Sequence, residues 1–488
     1  MDTTTEALAD PRRTWRIPDD RRLPVLEPYA DQVRRHPAVT VREALWDTAD
    51  RALAFAGAEL AQPDPPEGAA PEPLDRGSAA RDAVEVVLRG RPVAVVRIRE
   101  TTTSLVHLVD ADGRLCAEVA DVRVDEGDPD TMLLRSARWW ALSDDGQPGS
   151  VVRVVERALS DAAEDVGRGP GDPVPTLAPV RRPAGTAGHH PARGSARAVV
   201  RDVLVPLRAE LLQIDPMVRI DAEEAVHAFR KVLRRIRSVL AAYRGALDPG
   251  ETEALRDVLR ATARVAGVAR DAEVLRAEVR RISEQVRPDA LDPDVLGHLR
   301  TQLDERHFTA TTGLVELLRT PVWFDTLDAL DRVVDQAPAG PRAEQDAVAF
   351  TSERIAHERR RVRARLAVVD LGAPEAAGVT EVLVGLHALR KAVRRLRYAL
   401  EAAGDLHDVG PHGIGRHRIG RLVRVQDTLG DVLDAHLGAE ALRELARVAA
   451  RSGIDTFGYG VLAATDLRIA EDRLADARRA VERLPRAL

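Results

Sequence analysis

The chain has 488 residues, 31% of them charged and 44% hydrophobic, which is enough apolar material to bury proper cores and excludes global disorder. Its net charge of −6 excludes a globally basic nucleic-acid coat, so any basic site must be local. A single cysteine, Cys116, excludes an internal disulfide framework and a cysteine-built zinc site, and 3% aromatic content leaves few rings on which bases could stack.

The opening residues, "MDTTTEALADPRR", contain no apolar leader segment, and no long apolar run follows, so a soluble cytoplasmic protein without membrane association is expected. Residues 1–166 are of mixed character, with strand signals dominating the middle. "AVEVVLRG" (83–90) alternates apolar and polar residues as a strand would, and residues 92–124 read as several antiparallel strands. Within them Asp112-Gly113 marks a hairpin turn. Two Pro-, Gly- and acid-rich stretches, 61–77 and 142–149, read as exposed loops. Residues 167–195 are rich in Pro and Gly without periodicity, which predicts an interdomain linker. Its His189 and His190 are too isolated to make a metal site. From Ala196 to the end the pattern is helical, with Ala, Leu, Arg and Glu dominating.

One phrase in this helical region is written twice. Residues 226–240 read "VHAFRKVLRRIRSVL" and residues 386–400 read "LHALRKAVRRLRYAL", 160 residues on. A second echo follows: "GVARDAEVL" (267–275) and "GDVLDAHLG" (430–438) both keep Gly and Asp four apart. The spacing predicts two similar helical bundles, about 196–340 and about 345–488, related by an approximate two-fold axis. The chain's two lysines, Lys231 and Lys391, occupy equivalent positions of the phrase. Chance placement among so many arginines would rarely do this; a compact ammonium is wanted there rather than a broad guanidinium.

On a helix advancing about 100° per residue, Arg230, Lys231, Arg234, Arg235 and Arg237 all fall within about 80° of His227. Phe229, Val232, Leu233, Ile236, Val239 and Leu240 take the opposite face, which is expected to build the core. The second copy sets His387, Arg390, Lys391, Arg394, Arg395 and Arg397 against Leu389, Val393, Leu396 and Leu400. Asp221 with Glu224 resembles a helix N-cap with a supporting acid. An ordinary solvated helix face mixes signs, whereas each eleven-residue window here holds five cations and no acid. A polyanion is the simplest compensation. Arginine forks and point-charged lysines suit phosphate oxygens, and about 15 Å of helix axis suits a phosphate chain better than one small anion.

These twin phrases, with "ARDAEVL" and "VQDTLGDVLDA" after them, resemble the CHAD family of α-helical histidine domains over roughly 195–488. The resemblance implies a pair of helical bundles with a basic cavity that binds inorganic polyphosphate, often on intracellular polyphosphate granules. Carried over by position, the binding residues are His227, Arg230, Lys231, Arg234, Arg235, His387, Arg390, Lys391, Arg394 and Arg395, with Arg237 and Arg397 at the rim. "HERRRVRARL" (357–366) and Arg416, Arg418 and Arg421 could extend the patch.

Residues 44–60 and 88–121 look like a CYTH domain, the triphosphate tunnel fold, whose chemistry sets metal-holding acids against phosphate-holding Lys and Arg. The family's opening Glu-x-Glu-x-Lys strand is absent, no lysine occurs in this domain, and only Glu118, Asp121, Arg97 and Arg99 remain as a partial set. The domain therefore reads as degenerate. Elsewhere no Walker loop exists, and "GIGRHRIG" (413–420) reads as a loop. His407, His412 and His417 are spread through Gly and Pro and fix no metal geometry.

The sequence thus predicts a multidomain α+β chain: a degenerate, mainly antiparallel CYTH-like domain (1–166), a linker (167–195) and an all-α CHAD domain of two duplicated bundles (196–488). The expected function is non-catalytic polyphosphate binding with no metal or other cofactor. A metal-dependent CYTH-type triphosphatase and a nucleic-acid module remain the alternatives, the latter disfavoured by the aromatic deficit.

Overall fold

The computed structural model describes residues 11–63, 75, 77–128, 132–144, 150–164, 191–287, 291–369, 379–404 and 414–487. The chain divides into two compact units, Met1–Pro183 and Ala184–Leu488. Most of the expected linker, with His189 and His190, and also His407 and His412, lie outside the described residues, as do 64–74 and 145–149. No helix among the described residues is long and apolar enough to cross a membrane.

The first unit is built on a seven-stranded antiparallel sheet: β1 (Arg13–Ile17), β2 (Gln32–Arg35), β3 (Val39–Asp47), β4 (Ala61–Pro63), β5 (Ala94–Val109), β6 (Leu115–Gly127) and β7 (Leu134–Asp144). The order is β1-β7-β6-β5-β3-β4, and β2 pairs with the far end of β5. This sheet fits the CYTH-like expectation. The β5–β6 turn falls where Asp112-Gly113 predicted it: Gly113 has φ +82°, and Asp110 accepts from the Arg114 amide at 2.8 Å. One face of the sheet packs Trp15, Val106, Leu108, Val119, Trp140 and Leu142 with Val152, Val155 and Leu159 of α3 (Ser150–Ala163). The short α1 (Ala52–Ala56) starts on Asp47, whose carboxylate accepts from the amides of Leu53 and Ala54.

"AVEVVLRG" is helical, contrary to the strand reading. It forms most of α2 (Ala79–Leu88), which the Ser78 side chain caps by accepting from the Arg81 amide. A buried Arg81–Glu85 ion pair one turn apart, at 2.9 Å, holds it. An alternating run this short fits period 2 and period 3.6 alike, and the cap and the ion pair decide.

The second unit contains nine α-helices among the described residues: α4 (Ala196–Arg219), α5 (Ala225–Ala242), α6 (Pro249–Ser283), α7 (Pro293–Leu318), α8 (Pro321–Asp335), α9 (Ala347–Leu366), α10 (Val379–Ala403), α11 (Ile414–Arg451) and α12 (Phe457–Arg483). Helical structure begins at Ala196 as expected. "GIGRHRIG" does not form a loop: α11 begins within it at Ile414, because an Arg- and Leu-rich helical run follows directly and outweighs two glycines.

The duplication is visible in the packing. α4–α5–α6–α7 neighbour one another in succession, as do α9–α10–α11–α12. The two halves meet where the N-caps of α4 and α9, Ser195 and Asp346, form a reciprocal bridge. The Ala196 amide donates to the Gln345 carbonyl and the Ala347 amide to the Gly194 carbonyl, both at 2.8 Å. A common core joins them elsewhere, with Leu275, Val279, Leu299 and Leu303 of the first half packed on Leu442, Leu445, Tyr459 and Leu462 of the second.

Candidate basic site on the duplicated helices

The phrase helices α5 and α10 bury the faces assigned to the core. Phe229, Val232, Leu233, Ile236, Leu389, Val393 and Leu396 have no solvent exposure. Phe229 meets the ring of Trp323 edge-on at 5.5 Å. Burying such side chains contributes about 1.5–3 kcal/mol each and fixes the rotation of both helices. The cationic faces are thereby set.

The N-cap expectation needs correcting. α5 starts after Glu224, which sits in the left-handed region at φ +59° and makes no side-chain cap. Asp221 instead meets His307 Nε2 at 3.0 Å, and Glu224 accepts from Arg270 at 3.1 Å. Tertiary partners outcompete the local cap.

α5 and α10 pack against each other, and their contacts are reciprocal. Arg395 of α10 donates to the carbonyl of Ala241 at 2.5 Å, and Arg235 of α5 lies 3.8 Å from the carboxylate of Glu401. Residue 401 is 160 positions beyond 241, as Arg395 is beyond Arg235. That exchange is what a two-fold relation between the helices requires.

The same relation makes the two stripes converge. The Arg394 guanidinium is pushed down to about 10, by burial first and then by the charges of Arg234, Arg390 and Arg237. Burial also lowers Arg234, helped by Arg230, Arg390 and Arg397. Guanidinium stays charged at neutral pH, so these shifts express burial first and neighbouring positive charge second. His227 and His387 are both lowered, by burial and by neighbouring cations: Arg270, Arg234 and Lys231 for the first, Lys391, Arg394 and Arg390 for the second. Lys231 and Lys391 are exposed, each on its own helix.

Not every cation of the phrase is unmatched. Arg230 donates to Asp271 at 3.0 Å and to the Gly267 carbonyl at 3.3 Å, which explains the echoed Gly-x-x-x-Asp: it grips the first arginine of the phrase. In the second copy Arg390 lies against Gly430, within the fields of Asp427 and Asp434. Arg395 is 2.9 Å from the buried carboxylate of Glu358, and Arg397 lies 3.5 Å from Glu401 and over the Tyr398 ring. Lys231, Arg234, Arg237, Arg390, Lys391 and Arg394 form no ion pair within 4 Å with a carboxylate of the described residues.

Other helices add cations that the phrase alone did not reveal. Arg256, Arg260 and Arg264 of α6 surround Arg237 closely enough to lower it, after burial. Their spacing of four was the available signal. From α9, Arg361 and Arg354 act on Arg395, while Arg359 stands beside Arg418 of α11. Arg361 of the 357–366 cluster therefore reaches the phrase, Arg359 and Arg418 adjoin each other, and the Arg416 side chain is outside the described residues.

The partial tunnel set of the first unit does not converge. Arg97 and Arg99 both donate to the buried carboxylate of Glu126, at 2.8 and 2.7 Å, and Arg99 also binds Glu59. Glu118 is eight residues away along β6, about 27 Å of strand, and it holds His107 at 2.8 Å. Asp121, at odd spacing from Glu118, faces the other side of the sheet and pairs with Arg138 at 2.6 Å.

Residues 203–443 match the family model of the CHAD domain. Over 280 residues the chain is 31% identical to two uncharacterized proteins of Mycobacterium tuberculosis, MT2285 of strain CDC 1551 and Rv2226 of strain H37Rv. The match covers 57% of this chain, which spans only about half (52%) of each relative. Among solved structures, PptA from Streptomyces chartreusis is similar at TM-score 0.48 and 19% identity, covering 59% of this chain and 99% of that one. The CHAD domain of the plant Ricinus communis is similar at TM-score 0.46 and 22% identity, covering 60% and 97%. The helical unit of this chain carries a CHAD domain over residues 203–443.

Proposed function

We propose that this chain binds inorganic polyphosphate, without catalysis, along one groove formed where the basic stripes of α5 and α10 converge. The observation that carries the reading is that the charge of Arg234 bears on the largely buried Arg394, which holds the same position in the other copy of the phrase. Buried like charges persist only where something balances them, and a chain of phosphates supplies one negative charge per link along the helix axis. The binding set is His227, Arg230, Lys231, Arg234, Arg235 and Arg237 with their mates 160 residues on. Of these, Arg230 and Arg395 also brace the helices through Asp271 and Glu358. The domain layout 1–166, 167–195 and 196–488 and residence on polyphosphate granules belong to the same proposal.

The sheet domain serves in this reading as a scaffold or partner surface. Its Arg97, Arg99 and Glu126 satisfy one another, and Glu118 and Asp121 point to different places, which supports reading these five residues as a degenerate set. The deciding experiment is competition between size-defined polyphosphate and single-stranded DNA at equal phosphate concentration, with and without magnesium, while phosphate release is followed. Polyphosphate should win without being hydrolysed. Equal competition would favour a nucleic-acid module, and magnesium-dependent release a triphosphatase.

A further inference from the structure

We infer that α11 and α12 form a second anion site, separate from the α5 and α10 stripes, which takes a compact, multiply phosphorylated molecule. A cavity of about 510 Å³ lies between the first half of α11 and the last turns of α12. That is within the size range of small-ligand pockets, about 300–1,000 Å³. Its walls carry five guanidiniums, from Arg421, Arg424, Arg473, Arg479 and Arg483. Among the described lining residues, two carboxylates stand against them, Asp431 and Asp476.

Helical spacing builds both walls. Arg421, Arg424, Thr428 and Asp431 follow each other at steps of three, four and three, and so do Arg473, Asp476, Ala480 and Arg483. Each set therefore lies along one face of its helix. The carboxylates do not neutralise the cavity. Asp476 is held by Arg479, one turn on in the same helix, and Arg473 donates to the backbone carbonyl of Asp431 at 3.2 Å rather than to its side chain. Arg424 and Arg483 are exposed and make no ion pair with a carboxylate of the described residues. The proposal rests on these two.

The apolar lining is limited to Val425, Ala480 and Leu484, too little to hold an uncharged ligand by burial. Five forked donors, of which Arg424 and Arg483 have no carboxylate partner among the described residues, match a ligand with several phosphate oxygens better than one carboxylate or sulfate. The site is distinct from the duplicated stripes. Asp427, Gly430 and Asp434, which face Arg390, lie about a quarter turn around α11 from the cavity wall. The chemistry is shared by two sources: a free small oligophosphate, or the end of a long chain.

The test is calorimetry of the full chain with tripolyphosphate in a Lys231→Glu/Lys391→Glu background, which disables the stripes. One tripolyphosphate site should remain, and adding Arg424→Glu/Arg483→Glu should weaken it at least about tenfold, 1.4 kcal/mol. If the charge reversals lower the melting temperature, Arg424→Gln/Arg483→Gln should give the same loss in smaller measure. No residual site in the lysine background, or one indifferent to both arginine pairs, overturns the proposal. A long chain then separates the sources in an otherwise unaltered protein. Arg424→Glu/Arg483→Glu weakens its binding if the cavity takes a chain end, and leaves it unchanged if the cavity takes a free small anion. Failure of the stripes would show instead in the lysine pair alone, so the two readings fail independently.

Discussion

A Cβ placed on Gly430 of α11 would lie 2.5 Å from a terminal nitrogen of Arg390 in α10, so the bare backbone there is what lets that guanidinium rest against the helix. At the equivalent Gly267 the Arg230 guanidinium stays 3.7 Å away, an ordinary contact. The duplicated glycines are thus unequal. Gly430→Ala should add up to about 1 kcal/mol of helix stability but displace Arg390 and weaken polyphosphate binding about fivefold, roughly 1 kcal/mol. Gly267→Ala should leave affinity within about twofold. Thermal melts and binding isotherms of the two variants check this; equal effects at both sites would show that Arg390 needs no clearance.

The twin lysines probe whether the stripes share one groove. Engaging the second stripe is intramolecular once the first is bound, so a long chain gains from effective concentration. Lys231→Glu and Lys391→Glu should each weaken a long chain at least about tenfold, and calorimetry should count one site per protein. A phosphate oligomer that reaches one stripe should lose less to either change alone, because the other stripe still takes it, and should leave the stripes only when both lysines are reversed. Two similar sites, each lost to one substitution, would mean separate grooves.

Salt dependence reports how many cations are engaged. Ten contacts, the number counted from sequence, would give a log–log slope near −7 by analogy with single-stranded nucleic acid. The structure leaves six phrase cations without a close carboxylate, for which the same relation gives about −4. Titration from low to physiological salt distinguishes the two, and a slope near −1 would refute a multi-contact groove.

His227 and His387 both have lowered values, from burial and surrounding cations. A bound polyanion raises them, so affinity should strengthen as pH falls, beginning below the ordinary histidine value near 6.5. Stability of the unliganded protein runs the other way. A histidine lowered in the fold contributes fully above its unfolded value, and the contribution is lost as pH falls from there toward the folded value. His227→Gln/His387→Gln should flatten both pH dependences below neutrality. An unchanged affinity profile would remove the histidines from the site.

In the sheet domain, Glu126 is the buried partner of both Arg97 and Arg99. Glu126→Ala strands the guanidinium of Arg97, while Arg99 keeps Glu59, and should cost about 3 kcal/mol, the scale for breaking a buried pair. Chemical denaturation of the full chain measures it. The same protein should release no phosphate from tripolyphosphate or ATP with magnesium or manganese. Metal-dependent turnover abolished by Glu118→Gln would show that a working tunnel exists.

What was legible in the sequence was set within single elements. The 3.6-residue period of the phrase fixed which side of α5 and α10 is apolar. Asp112-Gly113 marked its hairpin by backbone chemistry, and the paired lysines with the echoed Gly and Asp exposed the duplication. The strand reading of 83–90 failed because an alternating run of a few residues cannot separate two periods, and Ser78 with the Arg81–Glu85 pair decided for helix. Asp221 failed as a cap because His307, 86 residues away, took its carboxylate. Only the tertiary structure decided which cations stay unmatched. Asp271, Glu358 and Glu401 reach the phrase from other turns of the bundle, and Arg256, Arg260 and Arg264 add to it from α6. Periodicity belongs to one helix and can be read along the chain; electrostatic balance belongs to the space between helices, where residues more than a hundred positions apart become neighbours.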